Sequence, residues 1–299
     1  MSQEFLACLD RLCAPSPDNE LAFRPIFMVG APRSGSTLAM QLMTDAFDLG
    51  YLANAHGQWY GAPALAERVL RPLAGRPPSN YESDLGRTYG TYAPSECGSW
   101  WYRFFRRHPP YVELHEVDLR KMRQFRMSIA ALCSAFQRPV VFKNMYATLR
   151  IQAIAHHVPE SLFVVVHREE VDNAHSILEA RYEQAGNYNA WFSVEPPGVE
   201  RLKLLPPQEQ VVEQIRQIHK TMERDFQRAA VSAERVFRLH YESMCDDSHA
   251  TLDQLAQFFE SNNCQVARRG TPPRSFPRRS EVRVDQLLFN DLQSYSRAK

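Results

Sequence analysis

The sequence predicts an α/β protein: a P-loop-like three-layer fold with a central, mainly parallel sheet flanked by helices. Three observations predict it. Short apolar runs alternate along the chain with longer segments of helical period, the pattern of strand–crossover–strand units. The run SLFVVVHR (161–168) is apolar at consecutive positions, as in a parallel strand covered on both faces. FMVGAPRSGSTL (27–38) reads as a strand, a tight Gly/Pro turn and the start of a helix.

The elements follow in order. MSQEFLACLDRLCAPSP has the spacing of a short amphipathic helix. RPIFMVGA (24–31), bounded by prolines, gives the first strand, and residues 35–46 a helix. Residues 48–63 supply a second strand-like piece and an aromatic loop, 64–75 a helical period, and 77–110 an aromatic, loop-like stretch containing APSECGSWWYRFF. A helix over 119–136 leads into the strand RPVVFKN (138–144), and a helix over 149–157 precedes the strand 161–168. The helix over 169–184 carries acids in its first turn, which complement the helix dipole. After a Pro-rich loop to 207 come an amphipathic helix (208–230), the strand RVFRLHYE (235–242), a helix (248–262), a basic, proline-broken tail (268–283) and a short closing helix. No linker composition interrupts this order. The expectation is one domain over 1–299, with 1–24 as N-terminal helix and lead-in and 266–299 as basic C-terminal loop and short helix.

Composition narrows the function. With 44% apolar residues in 299, the chain can bury a sizeable core. A net charge of +1 lacks the basic excess of a nucleic-acid-coating protein, so no nucleic-acid partner is expected. No run of 18 apolar residues predicts a membrane span, and the N-terminus lacks the charged and apolar regions of a signal peptide. The six cysteines (Cys8, Cys13, Cys97, Cys133, Cys245, Cys264) form no C-x-x-C pair. They read as reduced thiols of a cytoplasmic protein, without metal-ligand spacing.

The chemistry concentrates in two places. In the first, Gly30, Gly35 and Thr37 fall in register with the phosphate loop G-x-x-x-x-G-K-[ST], but Ser36 stands at the lysine position. Backbone N–H groups of such a turn, with the helix start behind it, make an anion site. Ser34, Ser36 and Thr37 add hydroxyls, and Arg33 adds a charged fork. In the second, VVVHREEVDNAHS, Arg168 ends a strand and Ser176 lies about two turns into the next helix. The pair can clamp a second phosphate; alternatively Arg168 pairs with a carboxylate and Ser176 merely packs.

Taken together, P-R-S-G-S-T after the first strand and R-x₇-S at a later strand–helix junction resemble the sulfotransferase superfamily, in detail its bacterial, carbohydrate-type members. The resemblance runs from about residue 25 to 245. It implies that Pro32, Arg33, Ser34, Gly35, Ser36 and Thr37 hold the 5′-phosphosulfate of PAPS (3′-phosphoadenosine 5′-phosphosulfate), with Arg33 where many members have lysine. It implies that Arg168 and Ser176 hold the 3′-phosphate, that Tyr241 in LHYESM lies near the adenine, and that Lys143 in FKN is the strand-end lysine. Arg268, Arg269 and Gly270 resemble an RKG element placed on the 3′-phosphate; a solvated arginine-rich loop is the alternative.

The implied reaction is in-line transfer of a sulfuryl group to a hydroxyl of a small-molecule, carbohydrate or lipid acceptor, releasing PAP (3′-phosphoadenosine 5′-phosphate) and requiring no metal, with Arg33, Lys143 and the loop amides stabilising the charge that grows on the oxygen bridging sulfur and the 5′-phosphate. It needs a general base. Cytosolic members place a histidine where this chain has Met145; carbohydrate-type members use a glutamate. Glu96, a lone carboxylate among aromatics, is the first candidate and His56, in NAHGQWYG, its rival; a structural role is the alternative for each. Trp100, Trp101, Tyr102, Phe104 and Phe105 either floor an acceptor pocket or belong to the core. Two rivals stand beside the sulfotransferase: a P-loop kinase of a small hydroxyl substrate, which wants the missing lysine and a strand-end Asp for magnesium, and a non-catalytic nucleotide-binding protein.

Overall fold

A computed structural model describes residues 3, 6, 7, 10, 21–70, 79–279 and 281–298. β1 (Ile26–Gly30), β2 (Gly50–Tyr51), β3 (Val140–Lys143), β4 (Leu162–His167) and β5 (Val236–His240) form one parallel sheet in the order β2-β3-β1-β4-β5. β1 lies at the centre, with Ile26 opposite Val141 of β3 and Leu162 of β4. The helices, in chain order, are α1 (Ser36–Ala46), α2 (Asn54–Gln58), α3 (Pro63–Leu70), α4 (Gly98–Trp101), α5 (Leu119–Phe136) and α6 (Ile151–His157). They continue with α7 (Glu170–Ala185), α8 (Val199–Leu202), α9 (Pro207–Arg228), α10 (Tyr241–Asp246), α11 (Ser248–Ser261) and α12 (Gln286–Arg297).

The two-residue period of a strand explains the layers. Phe27 and Val29 of β1 join Phe142, Phe163 and Val165 on one face, where α5 and α6 cover them. Ile26 and Met28 join Val141, Val164, Met40 and Phe259 on the other, under α1 and α11. A third apolar cluster, built by α7, α9 and α12 around Ile177, Leu178, Val211 and Ile215, lies beyond these two. No helix among the described residues is long and apolar enough to cross a membrane.

Several boundaries differ from expectation. The second strand is only two residues long, because the chain turns at once into α2 and α3. The helix read over 64–75 is α3, ending at Leu70; residues 71–78 fall outside the described residues. Most of the N-terminal helix and lead-in also falls outside them, although residues 3, 6, 7 and 10 are helical. The strand read over 235–242 stops at His240, and Tyr241 opens α10. Of the six cysteines, Cys8 and Cys13 are not described; Cys97, Cys133, Cys245 and Cys264 are buried and free of disulfides.

The aromatic segment is mostly core. Trp100, Trp101, Phe104 and Phe105 are buried against Phe125, and only Tyr102 of the group is partly exposed. Trp100 stacks on Phe142 at 5.2 Å between ring centroids and donates its indole N–H to Ser128 Oγ at 3.0 Å. Trp100→Ala therefore removes a large buried ring and strands a hydroxyl. Urea unfolding is expected to show a loss of about 3–5 kcal/mol.

Candidate active site

Parallel sheets place their loops, and hence their sites, at the carboxyl ends of the strands. Here a cavity of about 1110 Å³ opens among the loops that follow β1, β3, β4 and β5. Seven cationic side chains and three acidic ones line it, so its wall selects an anion.

The loop after β1 owes its shape to two glycines. A Cβ on Gly30 would lie 2.6 Å from the Val166 carbonyl oxygen. Gly35 has φ 92°, and a Cβ there would meet the Tyr241 ring at 2.3 Å. The Thr148 hydroxyl accepts from the Gly30 N–H and donates to the Gly30 carbonyl, both at 2.9 Å. The Pro32 carbonyl accepts from Asn173 Nδ2 at 2.7 Å and that of Arg33 from Arg168 at 3.2 Å. These contacts hold the loop ahead of α1, whose N-terminus faces the same cavity. Gly35→Ala would add left-handed strain of about 1–2 kcal/mol and push on Tyr241. A matching fall in unfolding free energy, read by urea titration, is the expected result.

Four charged groups converge beside this loop. Lys143, at the end of β3, donates to Thr37 Oγ1 at 2.8 Å and pairs with Glu96 at 3.0 Å. The lysine is nearly buried, whereas the Glu96 side chain keeps about a third of its surface exposed. Arg33 donates from Nε to Ser176 Oγ at 3.1 Å. Burial pushes the Arg33 guanidinium below its ordinary pKa, with Arg279 and Arg168 adding to the shift against the attraction of Glu179 and Glu183. Arg168 lies 4.6 Å over the Tyr241 ring and donates to the Arg279 carbonyl at 3.0 Å. Its Nε, like Ser34 Oγ, is buried without a hydrogen-bond partner.

Residues 25–262 match the model of the Sulfotransferase family. The chain belongs to that family. Its fold is similar to that of sulfotransferase STF9 from Mycobacterium avium, at 15% identity and a TM-score of 0.52, covering 97% of this chain and 70% of that one. It is also similar to sulfotransferase STF1 from Mycobacterium tuberculosis H37Rv, at 13% identity and a TM-score of 0.51, covering 87% and 73%. No curated protein matches the chain significantly.

Within this sulfotransferase-family fold, Pro32, Arg33, Gly35, Ser36, Thr37, Glu96, Lys143, Arg168, Ser176 and Tyr241 all line the one cavity. Ser34 does not, although it sits in the loop; its hydroxyl points back toward Gly30. His56 does not either. It is 2% exposed, its Nδ1 accepts from the Ala53 N–H at 2.9 Å, and its Nε2 faces Glu67 at 3.4 Å without hydrogen-bond alignment. A ring used this way caps α2.

Arg268, Arg269 and Gly270 also stand apart from the cavity lining. Arg268 pairs with Asp253 at 2.6 Å and lies over the Phe47 ring, while the Arg269 N–H donates to the Ala46 carbonyl at the end of α1. The arginines that the tail does bring to the cavity are Arg278, Arg279 and Arg283. Arg278 pairs with Asp246, and Arg283 pairs with Glu179 at 3.2 Å while its own N–H donates to His175 Nε2 at 3.1 Å. The sequence signalled these residues only as a basic tail. Among the described residues, no group of three or more His, Cys, Asp or Glu side chains is arranged to hold a metal ion.

Proposed function

We propose that this protein transfers the sulfuryl group of PAPS to a hydroxyl of a small-molecule, carbohydrate or lipid acceptor, with Glu96 as general base. The observation that carries the reading is the meeting of Glu96, Lys143 and Thr37 within hydrogen-bond reach beside the loop after β1. PAPS supplies the sulfuryl group and leaves as PAP. The turn around Gly35 and the hydroxyls of Ser36 and Thr37 suit the phosphosulfate. The buried, partly unpartnered guanidinium of Arg168, with Ser176 and Arg279, suits the 3′-phosphate. Arg33 bridges the two ends through Ser176.

Each residue has one task in this scheme. Glu96 takes the proton of the acceptor hydroxyl as that oxygen attacks sulfur in line. Lys143 and the loop amides stabilise the charge that grows on the oxygen leaving sulfur, where a fixed cation is worth most. Tyr241 supports Gly35 and Arg168 together, which is a different task from the adenine contact expected of it. The kinase alternative lacks support at the strand ends, which carry Lys143 and His167-Arg168 in place of a magnesium-binding Asp.

Thermal unfolding with PAP and with Mg·ATP tests the reading, followed by transfer of labelled sulfate to a broad hydroxyl panel. PAP at a hundredfold excess over Kd should add about 2.7 kcal/mol of stability. Stabilisation by Mg·ATP instead, or PAP binding with no transfer to any acceptor, would overturn the enzymatic assignment.

A further inference from the structure

We propose that the acceptor carries an anionic group, a carboxylate or a phosphate, and that Arg87 binds it; this rests on the sulfotransferase reading above. The cavity has two halves. One is the nucleotide half, around Pro32, Arg33, residues 35–38, Arg168, Ser176, Tyr241, residues 276–279, Glu281 and Arg283. The other is walled by Asn54, Gly57, Tyr81, Ser83 and residues 85–89 and 94–99. Glu96 and Lys143 stand where the halves meet.

Most cations of the nucleotide half have side-chain partners there. Arg33 bonds Ser176, Arg278 pairs with Asp246, and Arg283 pairs with Glu179 and Glu281. Arg279 has no carboxylate within ion-pair distance among the described residues, but its carbonyl accepts from Arg168, which ties it to the same end. Arg87 is the cation of the other half, and it too has no carboxylate within ion-pair distance among the described residues. The acids close to it in sequence and Glu96 make other contacts. The Asp84 carboxylate accepts from the Tyr89 hydroxyl at 3.2 Å, Glu82 bonds Asn80 at 3.2 Å, and Glu96 pairs with Lys143.

The segment bearing Arg87 is held in place. Asp84 and Arg87 exchange backbone hydrogen bonds at 2.9 and 2.7 Å, Asn54 Nδ2 donates to the Thr88 carbonyl at 3.0 Å, and Gln41 donates to the Glu82 carbonyl at 3.2 Å. The Gly86 carbonyl accepts from Thr37 Oγ1 at 3.3 Å, so Arg87 follows directly on a residue touching the loop where the reaction is placed. Apart from Glu96, the rest of this wall is uncharged, with the hydroxyls of Ser83, Ser95 and Ser99 beside Leu85, Pro94 and Cys97. A fixed backbone, an exposed guanidinium with no ion pair among the described residues and several hydroxyls suit a polar acceptor with a negative charge placed away from the reacting hydroxyl. A guanidinium offers such an anion a two-pronged, charge-assisted contact.

The test uses one skeleton with three charges: glucose, glucuronate and glucose 6-phosphate, each given with PAPS to the wild type, Arg87→Gln and Arg87→Lys. In the wild type, kcat/KM should be higher for one or both anions than for glucose. Arg87→Gln should lower the anion-to-neutral ratio about ten- to a hundredfold, the span of a hydrogen bond to a charged group, mainly through KM. Arg87→Lys should retain part of the preference. The two anionic arms tell a carboxylate-reading from a phosphate-reading site. Thermal unfolding with PAP is run in parallel on all three proteins. If PAP stabilises the protein and sulfate is transferred, but glucose matches both anions or Arg87→Gln leaves the ratio unchanged, the anionic acceptor is wrong and the sulfotransferase reading stands. If PAP fails to stabilise the wild type and no acceptor is sulfated, both fall together.

Discussion

Glu96→Gln is expected to lower kcat by about a hundredfold to ten-thousandfold while leaving PAP affinity within a few-fold of wild type. The amide keeps the shape and one acceptor oxygen but cannot take a proton. Its side chain lies 3.0 Å from Lys143, so the substitution also removes a charge from the neighbourhood of that lysine. A modest gain in PAP affinity would therefore accompany the loss in turnover, because Lys143 then has one fewer anion to serve. Rapid-quench sulfuryl transfer and calorimetric PAP titration separate the two effects. Equal losses in turnover and in PAP binding would mean that Glu96 organises the donor site and is not the base.

Arg168→Ala is expected to weaken PAP at least about tenfold more than it weakens adenosine 5′-phosphate. The residue is 9% exposed, with an Nε that finds no hydrogen-bond partner among the described residues, and burial makes such a donor costly to leave unmatched. The same side chain also holds the Arg33 carbonyl and stacks on Tyr241, so its loss loosens the loop as well. Comparing two nucleotides that differ only at the 3′ position cancels that shared damage. Arg168→Lys keeps the charge and loses the fork, and should fall between wild type and Ala. If both nucleotides weaken alike, the 3′-phosphate lies elsewhere.

The parts of this molecule legible in its sequence are those fixed by local chemistry. Gly30 and Gly35 announce a tight turn because no other residue fits beside the Val166 carbonyl and the Tyr241 ring. The run Leu162–His167 announces a buried parallel strand because its apolar residues are consecutive. What was not legible depends on partners distant in the chain. Arg268 and Arg279 belong to the same basic tail, and their charge pattern does not distinguish them. Asp253 and Phe47 hold the first away from the cavity, while Arg168 draws the backbone of the second up to it. His56 looked available because it follows a strand, yet a five-residue helix uses its ring as a cap. The wall around Arg87 carries no motif; the bonds to Asn54 and Gln41 that assemble it span more than thirty residues.

The pairing of Lys143 with Glu96 has a kinetic consequence. A lysine shared between a carboxylate and the phosphate loop lets one occupant govern the other. Before the donor arrives, the Glu96 carboxylate is engaged by the Lys143 ammonium. A dianionic phosphosulfate competes for that ammonium and returns the carboxylate to the acceptor. The two substrates should then bind in sequence, donor first. Acceptor affinity measured with PAP present should exceed that of the unliganded protein, and this difference should shrink in Glu96→Gln.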